Sequence, residues 1–126
     1  MNTPVRAFTD LLAWQEGHKL VLEIYKLTKK FPKEEVFSLV SQMRRAAVSV
    51  TSNIAEGSGR QVYKEKVQFF FVSQGLLIEL KDQLLIARDI HYIDSAEFAK
   101  ISGQADTAHK LLQGLITKSK SFIAKS

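Results

Sequence analysis

The fold is decided by residues 36–57, which read VFSLVSQMRRAAVSVTSNIAEG. Apolar side chains recur in this stretch at spacings of 4, 3, 4, 3 and 4 residues. The positions are Val36, Val40, Met43, Ala47, Val50 and Ile54. This spacing places them on one face of an α-helix, because about 3.6 residues complete a turn. We expect the helix to span about residues 33–57 and to end at Gly57 and Gly59, since glycine accepts the left-handed conformation that closes a helix.

Three further helices follow from the same periodicity on either side. The first covers about residues 10–30 and ends before Pro32, because proline cannot continue a helix. The third covers about residues 63–89, and the fourth covers about residues 94–124. The apolar positions of the first helix are Ala13, Gly17, Leu20, Ile24, Leu27 and Phe31. Those of the fourth helix are Phe98, Ile101, Ala105, Ala108, Leu112 and Leu115.

These segments predict a single all-α domain over residues 1–126. Because the connecting loops are short, consecutive helices should run antiparallel and form an up-down-up-down four-helix bundle. The heptad-like spacing predicts left-handed, aligned packing with crossing angles of about 20°. Asp94 and Glu97 predict a capping box at the start of the fourth helix. The chain has no cysteine, which excludes disulfides and thiolate metal sites.

Composition and charge indicate a protein outside the membrane. The longest uncharged run, residues 67–78, has twelve residues, whereas about 20 are needed to cross a bilayer. The amino-terminal residues contain no apolar signal-peptide region. We therefore expect a cytoplasmic protein with no membrane partner. The net charge of +5 is compatible with nucleic acid or another acidic partner, and no acidic side chain follows Asp106.

The third helix carries more apolar surface than a monomeric bundle can cover. Phe69, Phe70 and Phe71 are consecutive, so on a helix their side chains sweep roughly 200°. A core-facing stripe is only about 100° wide or somewhat more. At least one ring should therefore face away from the core. Either this helix is buried on two sides within the protomer or, as we expect, the three rings contribute to an interface between copies of the chain.

The sequence does not contain a recognisable catalytic or metal-binding arrangement. The nearest approach to the metal motif of helical bundles is a single Asp106-x-x-His109, without the second copy that such a site needs. No serine stands in a Gly-x-Ser-x-Gly elbow. Residues 57–60 are glycine-rich but lack the Gly-Lys-Ser/Thr ending of a phosphate-binding loop. We expect no metal, no cofactor and no enzymatic activity.

A polar stripe runs along the helix that is predicted over residues 33–57. Its members, spaced 3, 4, 4 and 3 residues apart, are Gln42, Arg45, Ser49, Asn53 and Glu56. One interpretation is a solvated helix face. The other is a hydrogen-bonded seam between subunits or a ligand-facing surface, which can fix the register of an assembly. The sequence alone leaves both interpretations open.

The same helix carries a long motif that resembles a known family. It reads Phe31-Pro32-x-x-Glu35-x-Phe37-x-Leu39-x-x-Gln42-x-Arg44-Arg45-Ala46-Ala47-x-Ser49-Val50-x-x-Asn53-Ile54-Ala55-Glu56-Gly57-x-x-Arg60. It closely resembles the bacterial intervening-sequence family, named for open reading frames found inside insertions in large-subunit ribosomal RNA genes. The resemblance covers most of residues 8–92. It implies four-helix bundles assembled as homopentameric rings. It also implies kinship with the accessory protein of diversity-generating retroelements, which binds nucleic acid and a reverse transcriptase.

Charge and resemblance together predict a homo-oligomeric, non-enzymatic accessory protein associated with RNA or DNA, with a pentamer as the expected assembly. The candidate phosphate contacts are Arg44, Arg45 and Arg60, followed by Lys118, Lys120 and Lys125. We expect attraction to phosphates without base readout, because no aromatic residue is regularly interleaved with these charges. A protein-interaction scaffold, with a partner such as a reverse transcriptase and no nucleic acid, is the alternative. A small-molecule or enzymatic role in the bundle core is the third possibility.

Overall fold

The computed structural model describes residues 7–123, which fold into four long helices. The helices are α1 (Leu12–Thr28), α2 (Ser41–Ser58), α3 (Tyr63–Asp89) and α4 (Ser95–Ile123). The described part of the chain contains no strand, so the predicted all-α class is confirmed. None of its helices is long and apolar enough to cross a membrane. Lys125, one of the candidate phosphate contacts, lies outside the described residues.

The helices form a closed ring in which each one packs against the helix before and the helix after it, and α4 packs against α1. Contacts between helix ends give the directions. Lys30, just after α1, pairs with Glu97 in the first turn of α4. Tyr63 at the start of α3 lies against Phe122 at the end of α4. These neighbours are antiparallel, as an up-down-up-down bundle requires, and the crossing angle and handedness of the packing stay predictions.

Two helices start later than the sequence predicts. A 3-10 turn over Phe8–Asp10 precedes α1. Before α2 the chain forms a 3-10 turn, Lys33–Glu35, and then a π-helical turn, Val36–Val40. The Glu35 carboxylate accepts a hydrogen bond from the Leu39 amide at 3.3 Å, which supports the π-helical turn. Because these turns change the rotation per residue, Val36 leaves the predicted stripe and is 46% exposed.

The predicted apolar stripes otherwise form the core. All six positions of the first helix are buried, as are the remaining five of the second. In α4 the stripe shifts near its end, where Ile116 and Ser119 are buried and Leu115 is only half-buried. Ser73 of α3 is also fully buried, and its hydroxyl donates to the carbonyl oxygen of Val50 at 2.6 Å. This bond joins α2 to α3 inside the core.

Gly57 does not close α2 through a left-handed conformation, so that prediction is wrong. The residue lies inside α2, and neither it nor Gly59 has a positive φ. A Cβ atom at Gly57 would lie 2.8 Å from Cβ of Phe69 and 2.8 Å from Cε1 of Phe70. Glycine is required here because α2 and α3 approach too closely for a side chain.

A residue in the left-handed conformation lies in the turn between α3 and α4, whereas the end of α2 has none. His91 has a φ of 66°. The Tyr92 amide donates to the carbonyl oxygen of Ala87 at 2.9 Å, which closes the end of α3. The predicted capping box follows and is confirmed. The Glu97 amide donates to Oδ1 of Asp94 at 2.7 Å, and the Asp94 amide donates to Oε1 of Glu97 at 3.1 Å.

Candidate nucleic-acid interface

One end of the bundle gathers basic side chains from three helix ends. This basic end comprises residues 56–66, where α2 passes into α3, and residues 115–123 at the end of α4. The two segments meet where Tyr63 lies against Phe122, with 4.9 Å between ring centroids. Five basic side chains are present, namely Arg60, Lys64, Lys66, Lys118 and Lys120. Only two carboxylates, Glu56 and Glu65, oppose them in these segments, so the two segments together carry an excess of positive charge.

Aromatic rings lie beneath three of these cations. The pairs are Arg60 over Phe69, Lys120 over Phe71 and Lys66 over Tyr63, at 4.6, 4.8 and 5.7 Å from the ring centroid. Cation–π attraction holds each charged group over its ring. The expected absence of base readout, which rests on the lack of regular interleaving in the sequence, stays a prediction. The interleaving exists in space, because the partners come from different turns or different helices.

A cavity of about 320 Å³ opens at the basic end. The rings of Tyr63 and Phe122 line it, together with the side chains of Lys66 and Lys118. Ser119 also lines the cavity and is only 4% exposed. Its hydroxyl has no hydrogen-bond partner within residues 7–123. The cavity thus combines an aromatic wall, a buried polar group and two ammonium groups.

The candidate phosphate contacts do not form one surface. Those at the basic end are Arg60, Lys118 and Lys120. Arg44 and Arg45 lie in the first turn of α2, at the other end of that helix. Nε of Arg44 donates to Oγ1 of Thr28 at 2.9 Å, and its guanidinium lies 4.6 Å from the ring centroid of Tyr25. Arg44 therefore links α2 to α1, and its role as a phosphate contact stays a prediction. Arg45 is exposed and has no ion-pair partner in the described part of the chain.

The polar stripe of α2 faces solvent in the protomer. Its exposed members are Gln42, Arg45 and Glu56, and its half-buried members are Ser49 and Asn53. Nδ2 of Asn53 donates to the carbonyl oxygen of Ser49 at 2.8 Å, and Glu56 pairs with Arg60 at 3.4 Å. These contacts stay within the helix or its C-terminal turn. The exposure agrees with a solvated face, and a seam between subunits stays a prediction.

The three consecutive phenylalanines occupy different environments. Phe70 is 2% exposed within the protomer's own core, so its assignment to an interface between copies is corrected. Phe69 is half-buried, and Phe71 is 40% exposed. The expectation that at least one ring faces away from the core is confirmed. Phe71 begins a row of exposed apolar side chains, termed the outer face of α3. Its members are Phe71, Val72, Ile78, Leu85, Ile86 and Ile90.

Polar side chains also meet in the groove between α3 and α4. Nζ of Lys81 lies 2.8 Å from Nδ1 of His109 and 3.0 Å from Oδ1 of Asp106. Burial and then the Lys81 ammonium lower the pKa of His109, while Asp106 acts in the opposite direction. The Asp106-x-x-His109 pair is thus engaged by a lysine. Across residues 7–123 no three His, Asp or Glu side chains are grouped closely enough to hold a metal ion.

Sequence reasoning missed Lys64 and Lys66 as members of the basic end. The available signal was local, because Tyr63 and these two lysines stand together at a helix start. Their position beside Lys118 depends on the pairing of α3 with α4. That pairing joins residues far apart in sequence, so inspection of either segment alone does not show it.

Comparison with known proteins gives one family and one fold. The sequence model of a family described as "23S rRNA-intervening sequence protein" matches residues 9–114. A solved structure, of a protein of unknown function from the S23 ribosomal protein family of Bacteroides thetaiotaomicron, is similar with a TM-score of 0.77. The two sequences are 19% identical over 83% of this chain and 98% of the other, so the likeness concerns the fold. No curated protein matches the chain.

Proposed function

Because the chain belongs to the family of 23S rRNA-intervening sequence proteins, we propose that it is a homo-oligomeric, non-enzymatic protein that binds nucleic acid through its basic end. The observation that carries the proposal is the convergence of five basic side chains from three helix ends, against two carboxylates in the same segments. The turn before α1 adds Asp10 at this end of the bundle. Such an excess of charge attracts phosphates without base-specific contacts. RNA and DNA both present such phosphates, so both are candidate ligands, and the cytoplasm is the proposed location.

We propose that the assembly forms through the outer face of α3. Its six apolar side chains are between 40% and 53% exposed, in a row from Phe71 to Ile90. The exposed residues Glu79, Asp82 and Asp89 lie among them on the same helix. A group of exposed apolar side chains on a protomer favours a contact with another molecule. Burying it between copies stabilises the assembly by about 25 cal/mol per Å² of apolar area. A pentamer, which the family resemblance implies, would present five basic ends to one nucleic acid and strengthen the weak attraction of each.

One observation favours a second candidate function, that of a protein-interaction scaffold. Phe37, on the π-helical turn before α2, is 95% exposed. Aromatic side chains are enriched where proteins contact one another, because a ring buries a large area with few rotatable bonds. In this alternative a partner protein covers Phe37, and the basic end binds no nucleic acid. The bundle core is filled by apolar side chains, which makes a small-molecule role there the weakest candidate.

The nucleic-acid proposal is tested by titrating labelled RNA and DNA at about 50 and 200 mM salt. The test variant removes three charges from the basic end, with Lys64→Gln, Lys118→Gln and Lys120→Gln. A control of equal net charge removes three exposed lysines near the other end of the bundle, with Lys26→Gln, Lys29→Gln and Lys33→Gln. We expect the test variant to lose binding and the control to retain most of it. Equal losses, or no binding by the wild type at low salt, would refute the proposal.

The assembly is tested by light scattering over a range of protein concentrations. We expect a mass that is a multiple of the 14.2 kDa protomer, with five copies as the expected number. Ile78→Asp, on the outer face of α3, should dissociate the assembly without unfolding the protomer, because Ile78 is 53% exposed. Leu22→Asp on α1, at a side chain that is 58% exposed, is the matched control. A 14.2 kDa wild-type species at every concentration contradicts the assembly.

A further inference from the structure

We propose that the cavity at the basic end holds one unpaired base of a single-stranded nucleic acid, with the adjacent phosphate on Lys66 and Lys118. The inference rests on the proposed function and adds a preference for single strands over duplexes. Charge alone favours a duplex, which presents more phosphates per unit length than a single strand. A preference for single strands therefore requires a feature that recognises an exposed base.

The first such feature is the aromatic wall of the cavity. The rings of Tyr63 and Phe122 lie 4.9 Å apart at 34° to one another, Lys66 lies over the Tyr63 ring, and both aromatic residues are half-buried. Bases of single strands stack on aromatic rings of this kind, whereas a duplex keeps its bases stacked inside. The volume of about 320 Å³ is close to the lower end of ligand pockets, roughly 300–1,000 Å³. It therefore suits one base and its sugar.

The second feature is the hydroxyl of Ser119. This residue is 96% removed from solvent, at 4% exposure, and lines the cavity without a hydrogen-bond partner among the described residues. Oγ of Ser119 is not among the fully enclosed, unpartnered side-chain atoms of the described residues, so it is open to the cavity. A hydroxyl both donates and accepts, so it can pair with the polar edge of any base. The cavity should accept bases of more than one type.

The third feature is the pair of ammonium groups beside the rings. Nζ of Lys66 donates to the carbonyl oxygen of Ser58 at 2.8 Å, which fixes the side chain at the end of α2. An ammonium group has three donors, so two remain for a phosphate. Lys118 lines the cavity from α4 and is exposed. Within residues 7–123 neither lysine pairs with a carboxylate, so both charges are available to a ligand.

The groove between α3 and α4 lacks this combination. One of its lysines, Lys81, already contacts Asp106 and His109, and no phenylalanine, tyrosine or tryptophan ring lines the groove. The aromatic rings, the Ser119 hydroxyl and two lysines without a carboxylate partner occur together only in the cavity at the basic end, of these two sites, and we therefore assign the base to that cavity.

The experiment compares a labelled single strand, the duplex of the same length and free adenosine monophosphate. The single strand should bind more tightly than the duplex at equal salt. Tyr63→Leu should weaken single-strand binding roughly fivefold or more, as loss of one stacked base does, and leave duplex binding unchanged. Tyr25→Leu removes an exposed tyrosine near the end of α1 and is the matched control. Ser119→Leu should fill the cavity and weaken single-strand binding as Tyr63→Leu does. If the leucine variant does not fold, Ser119→Ala replaces it in the test and should also weaken single-strand binding.

The outcomes separate the two proposals. Equal binding of single strand and duplex, or equal losses for both in Tyr63→Leu, would overturn the base site and leave the proposed function standing. Absence of binding to either form would overturn both. Free adenosine monophosphate that binds as tightly as the strand would assign the cavity to a mononucleotide and contradict the single-strand inference.

Discussion

Replacing Gly57 with alanine adds one methyl group at a point where α2 and α3 approach closely. The new Cβ would lie 2.8 Å from Cβ of Phe69 and 3.1 Å from the carbonyl oxygen of Lys66. Neither atom is the flexible end of a side chain, so relief of the clash requires α3 to shift. In most helix interiors the same substitution stabilises a protein, because alanine has the higher helix propensity.

The expected size follows from these two opposing effects. Exchange of glycine for alanine inside a helix contributes about 1 kcal/mol of stability, whereas overpacking a filled site costs about 1–3 kcal/mol. Gly57→Ala should therefore lower the free energy of unfolding by about 0–2 kcal/mol. Gly103 of α4 is the matched control, because nothing lies within 4 Å of a Cβ atom there. Gly103→Ala should raise the free energy of unfolding by about 1 kcal/mol.

Urea unfolding followed by circular dichroism measures both variants. The protein concentration must be the same in all samples, because the stability of an oligomer depends on it. The difference between the variants isolates the steric cost, about 1–3 kcal/mol. The reasoning is refuted if Gly57→Ala stabilises the protein as much as Gly103→Ala does.

Three further predictions test other parts of the structure. Arg44→Gln should lower the free energy of unfolding by about 1 kcal/mol, because it breaks a hydrogen bond to α1. Arg45→Gln should change the free energy of unfolding by less than about 0.5 kcal/mol. Equal effects of the two variants in urea unfolding would contradict the role of Arg44. Asp94→Ala should cost about 1 kcal/mol, because the first turn of α4 loses its cap, and an unchanged melting temperature would contradict the capping box. His109 should titrate by NMR below its ordinary pKa, and Lys81→Met should raise that pKa, because it removes the neighbouring positive charge. In the wild type, the lowered pKa means that His109 binds a proton less readily in the folded state than in the unfolded state. The free energy of unfolding should therefore fall as the pH drops below about 6.5. A measured pKa of His109 at or above that value would contradict the prediction.

The helices and most of the core are predictable from the sequence because the period of 3.6 residues is uninterrupted within them. The first helix shows this most clearly, since every predicted position from Ala13 to Phe31 is buried. Val36 is one exception, because Pro32 and the carboxylate of Glu35 impose turns of a different width. Gly57 is ambiguous in sequence, because a helix end and a close helix crossing both favour glycine.

The candidate site is predictable only in part, because it is assembled from helix ends. Arg60, Lys118 and Lys120 can be selected from the sequence as basic residues. The packing of α3 against α4 places Phe71 beneath Lys120 and brings Lys66 close to Lys118. Arg44 shows the reverse case. The sequence presents it as half of an arginine pair, and only the packing of α2 on α1 shows that it binds Thr28.

The salt dependence of RNA binding by the wild-type protein tests the central claim most directly. Each phosphate neutralised on a single strand contributes about −0.7 to the slope of log affinity against log salt concentration. If the five basic side chains of one basic end each neutralise one phosphate, the slope should be roughly −3 to −4. A steeper slope indicates that several basic ends of an assembly bind one strand. A slope near zero, or no binding at about 50 mM salt, would contradict the assignment of the basic end to nucleic acid.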